Sequence, residues 1–155
     1  MRQKSSVEKG ENMANALDVA KYIISKCNQE QEPISNLQLQ KILYIIQKTF
    51  LQIGSRAFED DFEAWQIGPV IKEVYNQYCG FGGFKIRLSY PDVQVSDGFR
   101  KIADFIIISK RKLEPWQIFE EVQEAGGAWD TVWCNGRGDH FVISKDLIRE
   151  KCSVV

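Results

Sequence analysis

The sequence predicts a mainly α, compact multi-helix domain with a small β element, its short strands near residues 60–66 and 140–143. Apolar residues recur at helical spacing in several separate segments. Glycine and proline fall between those segments and not within them. Strict apolar–polar alternation is confined to short stretches, too few for a large sheet. With 155 residues, the chain is long enough for one buried core and too short for two comfortable ones. The expected domain covers residues 13–152, and residues 1–12 read as a disordered leader or a tag remnant, with Met13 a plausible second start.

The elements follow in order. Ala16, Ala20, Ile23 and Cys27 fall at i, i+4, i+7 and i+11, one apolar stripe from which Asp18, Lys21 and Lys26 face away. This helix is expected to end over residues 29–32, because the residue before Pro33 avoids the helical region. Ser35 or Asn36 supplies a cap for a helix over 37–53, with Leu39, Ile42, Leu43, Ile46 and Phe50 inward and Gly54 as the stop. Phe62 and Ala64 alternate with Glu63 and Trp65, which predicts an extended segment within 58–67. Gly68-Pro69 is then expected to open a helix, buried through Ile71, Val74, Tyr75 and Tyr78 and broken by Gly80, Gly82 and Gly83.

Residues 85–95 suit either a loop or a weak strand. Phe99, Ile102, Ala103 and Ile106 suggest a helix, although residues 105–108 alone would suit a buried strand equally well. Pro115 fits the first turn of a helix through Trp116, Phe119 and Val122. A short helical turn near 128–133, a turn at 135–138, a strand at 140–143 and a last helix at 145–151 complete the chain.

Composition narrows the function classes. Twenty basic and twenty-one acidic residues give a net charge of -1, without the basic excess that usually neutralises phosphates, so nucleic acid is disfavoured as the main partner. The longest nearly uniform apolar run, 105–108, is far short of the roughly 20 residues that cross a bilayer, and the polar start has no apolar stretch of a secretory signal. A cytoplasmic location, with no membrane partner, is the expectation. The cysteines at 27, 79, 134 and 152 form no close pair of the kind that presents two thiolates to a metal, and are expected as reduced, mostly buried thiols. His140 is the single histidine and has no nucleophile motif beside it. Asp60-Asp61 suits solvent-facing charge better than a cation site, and the glycine clusters lack the lysine and strand–helix context of a phosphate loop. Neither catalysis, metal nor cofactor is therefore expected.

Binding is the remaining class. Gln40, Tyr44, Gln47, Lys48 and Leu51 share a second stripe of the 37–53 helix. A tyrosine between glutamines suits a contact surface, since tyrosine buries much area while losing little side-chain entropy. The alternative is that Tyr44 packs under the following loop and the glutamines are merely wet. Glu63 is a candidate cap for the helix after Pro69, and Trp65 a core or rim anchor. Tyr75, Tyr78 and Phe81 form an aromatic run that makes a hot spot if exposed and finishes the core if buried. The expected partner-binding set is Gln40, Tyr44, Gln47, Lys48, Trp65, Tyr75 and Tyr78.

The stretch Ala16-Leu-Asp-Val-Ala-Lys-Tyr-Ile-Ile24, followed by Ile34-Ser-Asn-Leu-Gln-Leu-Gln-Lys-Ile-Leu-Tyr-Ile-Ile-Gln47, resembles the opening of the Panacea domain, the family of SocA-like antitoxins and GepA-type phage-associated proteins. The likeness continues through Ala57-Phe58, Glu63-Ala-Trp-Gln-Ile-Gly-Pro-Val70, Val74-Tyr75 and Gly127-Ala-Trp129. It departs at Val122-Gln123, where the family often carries a Thr-His pair. The resemblance implies an antitoxin that neutralises a cognate toxin by direct contact, without catalysis, and leaves the toxin unspecified. A second reading is a phage- or prophage-associated adaptor docking a host protein to a protease or other machinery. An enzyme of unknown type is the third.

Overall fold

The computed structural model describes residues 14–152, and the expectation for residues 1–12 lies outside them. Two long helices come first, α1 (Ala16–Gln29) and α2 (Asn36–Gln52). They are followed by β1 (Phe62–Trp65), β2 (Gly68–Val70), α3 (Lys72–Tyr78), α4 (Asp97–Lys110), α5 (Pro115–Val122), α6 (Ala128–Trp133), β3 (Val142–Ile143) and α7 (Lys145–Cys152). The domain is mainly helical with one small antiparallel sheet, as the sequence predicts.

Helix α2 is the axis of the fold. It packs against α1, α3, α4, α5, α7 and strand β2, so nearly every side chain on it is covered, from Leu39 through Leu43 to Leu51. Ser35 caps it, its hydroxyl accepting from Gln38 N–H at 3.3 Å while Gln38 Oε1 accepts from Ser35 N–H at 2.9 Å. Helix α1 is capped by Asn15, and Asp60 Oδ1 also accepts from Ala16 N–H at 2.8 Å. Asp60 therefore ties the start of α1 to the segment before β1, and is not simply solvent-facing charge. Asp61 pairs with Lys145 of α7 at 2.7 Å.

The sheet order is β2-β1-β3. Its inner face carries Phe62, Ala64 and Ile143, all essentially inaccessible. Gly68-Pro69 does not open a helix: it lies in β2, with Ala64 opposite Pro69 and Trp65 opposite Gly68, and α3 starts only after Ile71. The reason lies on the other side of β1. Ala64 N–H donates to Phe141 O at 2.8 Å and Ala64 O accepts from His140 N–H at 2.7 Å, so both its groups face β3. Pro69 thus sits where no donor is required, the position a strand proline tolerates.

Residues 85–95 are loop, anchored where Ile86 N–H donates to Ile34 O at 2.7 Å. The ambiguous segment around 105–108 is helical, since Ser96 caps α4 by accepting from Phe99 N–H at 3.1 Å. Among the described residues no helix is long and apolar enough to cross a membrane. All four cysteines are free; Cys27 is buried, whereas Cys79 and Cys134 are exposed and Cys152 is half-buried, so the expectation of mostly buried thiols holds for Cys27 alone.

Candidate partner-binding surface

The polar stripe of α2 faces inward. Gln40 is fully buried, Gln47 is 1% exposed and Tyr44 is 3% exposed. Burying an amide is costly unless its hydrogen bonds are remade, and both glutamines remake theirs, each accepting from a backbone N–H outside the helix. Gln40 Oε1 accepts from Ile71 N–H at 3.0 Å and its Nε2 donates to Asn36 Oδ1 at 3.2 Å. Gln47 Oε1 accepts from Ala57 N–H at 2.7 Å and its Nε2 donates to Phe58 O at 2.8 Å. Tyr44 packs edge-on against Phe62, ring centroids 5.1 Å apart. Tyr78 is 1% exposed and its hydroxyl meets that of Tyr90 at 2.9 Å. Gln40, Tyr44, Gln47 and Tyr78 therefore hold the interior together and present no surface in this conformation. Burial raises the Tyr44 and Tyr78 phenols above their ordinary value.

Lys41 completes this buried set. Its side chain is covered, and Nζ donates to Ile67 O at 3.0 Å and to Gln123 Oε1 at 2.7 Å. Neither acceptor carries a charge, so desolvation dominates and lowers the ammonium from 10.5 to about 8. Gly68 lies directly over this junction with φ +122; a Cβ there would stand 2.8 Å from Gln123 Oε1 and 3.0 Å from Lys41 Nζ. Gln123 is thus the partner of Lys41. These two hydrogen bonds lock α2, the β1–β2 turn and the end of α5 together.

What those anchors hold in place is the outer face of the sheet. Glu63 and Trp65 point outward from β1, and Val142 stands opposite Glu63 on the same face. Trp65 Nε1 donates to Glu63 Oε1 at 2.9 Å, so Glu63 steadies the indole and does not cap α3. The Trp65 ring lies between two others: Tyr75 at 5.1 Å and His140, stacked on it at 4.3 Å. Trp129 Nε1 donates to Trp65 O at 2.8 Å from beneath. Beyond His140, Phe141 is 62% exposed and Val142 56%. Of the expected set, Trp65 and Tyr75 thus stand together on this ridge. Lys48 lies elsewhere, half-buried, its Nζ donating to Glu121 O at 3.2 Å.

The ridge is held by an unusual backbone. Cys134, Asn135 and His140 all adopt positive φ, at 47°, 56° and 69°. Non-glycine residues rarely do so, because Cβ crowds the following carbonyl. His140 and Phe141 both oppose Ala64, making a bulge in which the left-handed place usually belongs to glycine. At Gly138 the turn is pressed so closely onto α6 that a Cβ would meet Val132 O at 1.8 Å. His140, Phe141 and Val142 were not in the expected set. The alternation of a short strand was visible there, but the bulge that turns His140 onto Trp65 leaves no mark in local periodicity.

Two comparisons with known proteins give a consistent result. The chain is 29% identical over 144 residues to the curated protein Antitoxin SocA of Caulobacter vibrioides (strain NA1000 / CB15N), covering 82% of this chain and 74% of that protein. No solved structure gives a significant match. Residues 39–130, which include the buried Gln40–Lys41 anchor, the hairpin and Trp129, match the family described as Antitoxin SocA-like, Panacea domain. The chain belongs to the SocA-like antitoxin family.

Proposed function

We propose that this antitoxin-family protein neutralises a cognate toxin by binding it directly, through the outer ridge of the sheet formed by Trp65, Tyr75, His140 and Val142, together with the exposed Phe141 that lies between the last two in the chain. The observation that carries the assignment is His140. A left-handed conformation costs a non-glycine residue about 1–3 kcal/mol, and such strain concentrates at binding and catalytic sites. Here the strain holds an imidazole against an indole beside two exposed apolar side chains. Aromatic residues with a polar edge, preset on a rigid scaffold, are the usual anchors of protein interfaces. The buried Gln40, Lys41 and Gln47 act through the backbone they position. The protein works by occupancy, with no reacting group.

Growth of cells expressing the cognate toxin tests this. Co-expression of the wild-type chain restores growth, and the Phe141→Asp variant, folded to the same level, does not. Full protection by a Trp65→Ala, Phe141→Asp double variant would remove the ridge from the mechanism.

A further inference from the structure

Away from the ridge, α4 turns a second unpartnered stripe outward. Phe99, Ala103, Ile106 and Ile107 supply its buried face. Lys101, Phe105, Ile108 and Lys112 fall at i, i+4, i+7 and i+11 and so line one outer row, continued by Lys112 just past the helix end. Phe105 is 76% exposed, Ile108 50% and the Lys112 side chain 68%. Scattered exposed apolar residues are ordinary. What distinguishes this row is its charge. Every other cation of the segment has a close acidic partner: Arg100 pairs with Asp97, Lys110 with Glu121 at 2.6 Å and Arg111 with Glu30 at 2.7 Å. Lys101 has no ion pair among the described residues, and Lys112 reaches Glu32 only at 3.9 Å. The two loosely held lysines are the two that flank the exposed apolar pair.

We infer that this α4 row is a docking site for a protein segment with an apolar centre and a carboxylate at each end. At the helical rise, the eleven residue steps from Lys101 to Lys112, the last two just past the helix end, cover about 16 Å, so the complementary segment spans about three helical turns. A second copy of this chain does not fit. Pairing the row with itself sets lysine against lysine whether the two helices run parallel or antiparallel. An anionic membrane is disfavoured too, since each surface lysine contributes only about 1 kcal/mol and two are too few to hold a chain of net charge -1. The site is separate from the proposed toxin-binding ridge and does not depend on it.

Selection of helical peptides from a display library on the full chain tests the inference. Selected sequences are expected to share an apolar centre between acidic ends. Binding should fall at least about tenfold in the Phe105→Ala, Ile108→Ala variant. In the Lys101→Glu, Lys112→Glu variant the preference should switch to basic ends. These side chains are exposed, so thermal melting should match wild type, and Phe141→Asp should leave peptide binding unchanged. Failure to select any binder, binders indifferent to the α4 substitutions, binders without acidic ends, a dimer in sedimentation that the α4 substitutions abolish, or comparable binding to phosphatidylserine vesicles would each overturn it.

Discussion

Replacing Lys41 with methionine removes a buried cation that has two hydrogen-bond acceptors and no counter-charge. In the folded protein the ammonium is lowered from 10.5 to about 8. Below pH 8 the side chain is charged in both states, and the folded state bears the full cost of burying that charge. As the pH rises from 8 towards 10.5, the folded state releases its proton first and the unfolded state binds more protons. Stability contributed by this group therefore rises with pH across that window. Integrating the two titrations gives a gain of about 2 kcal/mol between about pH 7.5 and 9.5. The assay is urea unfolding of wild type and Lys41→Met at both pH values, read as the difference between them. Buried tyrosines and Cys27, whose thiol burial pushes up to about 11, titrate alike in both proteins and cancel. The wild type should gain about 2 kcal/mol on the variant as the pH rises. Parallel stabilities would show that Lys41 is not held as a buried ammonium.

Three further outcomes follow from the same anchors. Gly68→Ala should lower the free energy of unfolding by at least about 2 kcal/mol in urea, because φ +122 is strained for alanine and its Cβ displaces Gln123 from Lys41. Gln47→Leu should cost about 2–5 kcal/mol by the same measurement, since it strands the Ala57 amide and the Phe58 carbonyl in the interior. His140→Gly should change stability by no more than about 1 kcal/mol, relief of the left-handed backbone offsetting the lost stack on Trp65. The same substitution should weaken toxin binding in calorimetry, separating a residue kept for its surface from one kept for the fold.

The helical core was legible because Ala16, Ile23, Leu39, Leu43 and Ile46 announce their burial by spacing alone. The β2 strand was not, since Gly68-Pro69 also begins helices and only the pairing of Ala64 with β3 decides between the two. Gln40 and Gln47 were misplaced for a related reason. A glutamine at helical spacing has the same sequence appearance whether its partner is water or the backbone of Ile71 or Ala57, and those partners are fixed only when the chain has folded. Trp65 and Tyr75 were recognisable by residue type. Their neighbour His140 lies some seventy residues further on and reaches Trp65 only through a bulge.

The affinity of the purified chain for the proposed cognate toxin, measured by calorimetry for wild type and for Phe141→Asp, addresses the ridge most directly. A saturable complex that weakens at least about tenfold in the variant, with melting unchanged, is the predicted result. Equal affinity for the two proteins, or no complex with wild type, would contradict the ridge as the toxin-binding surface.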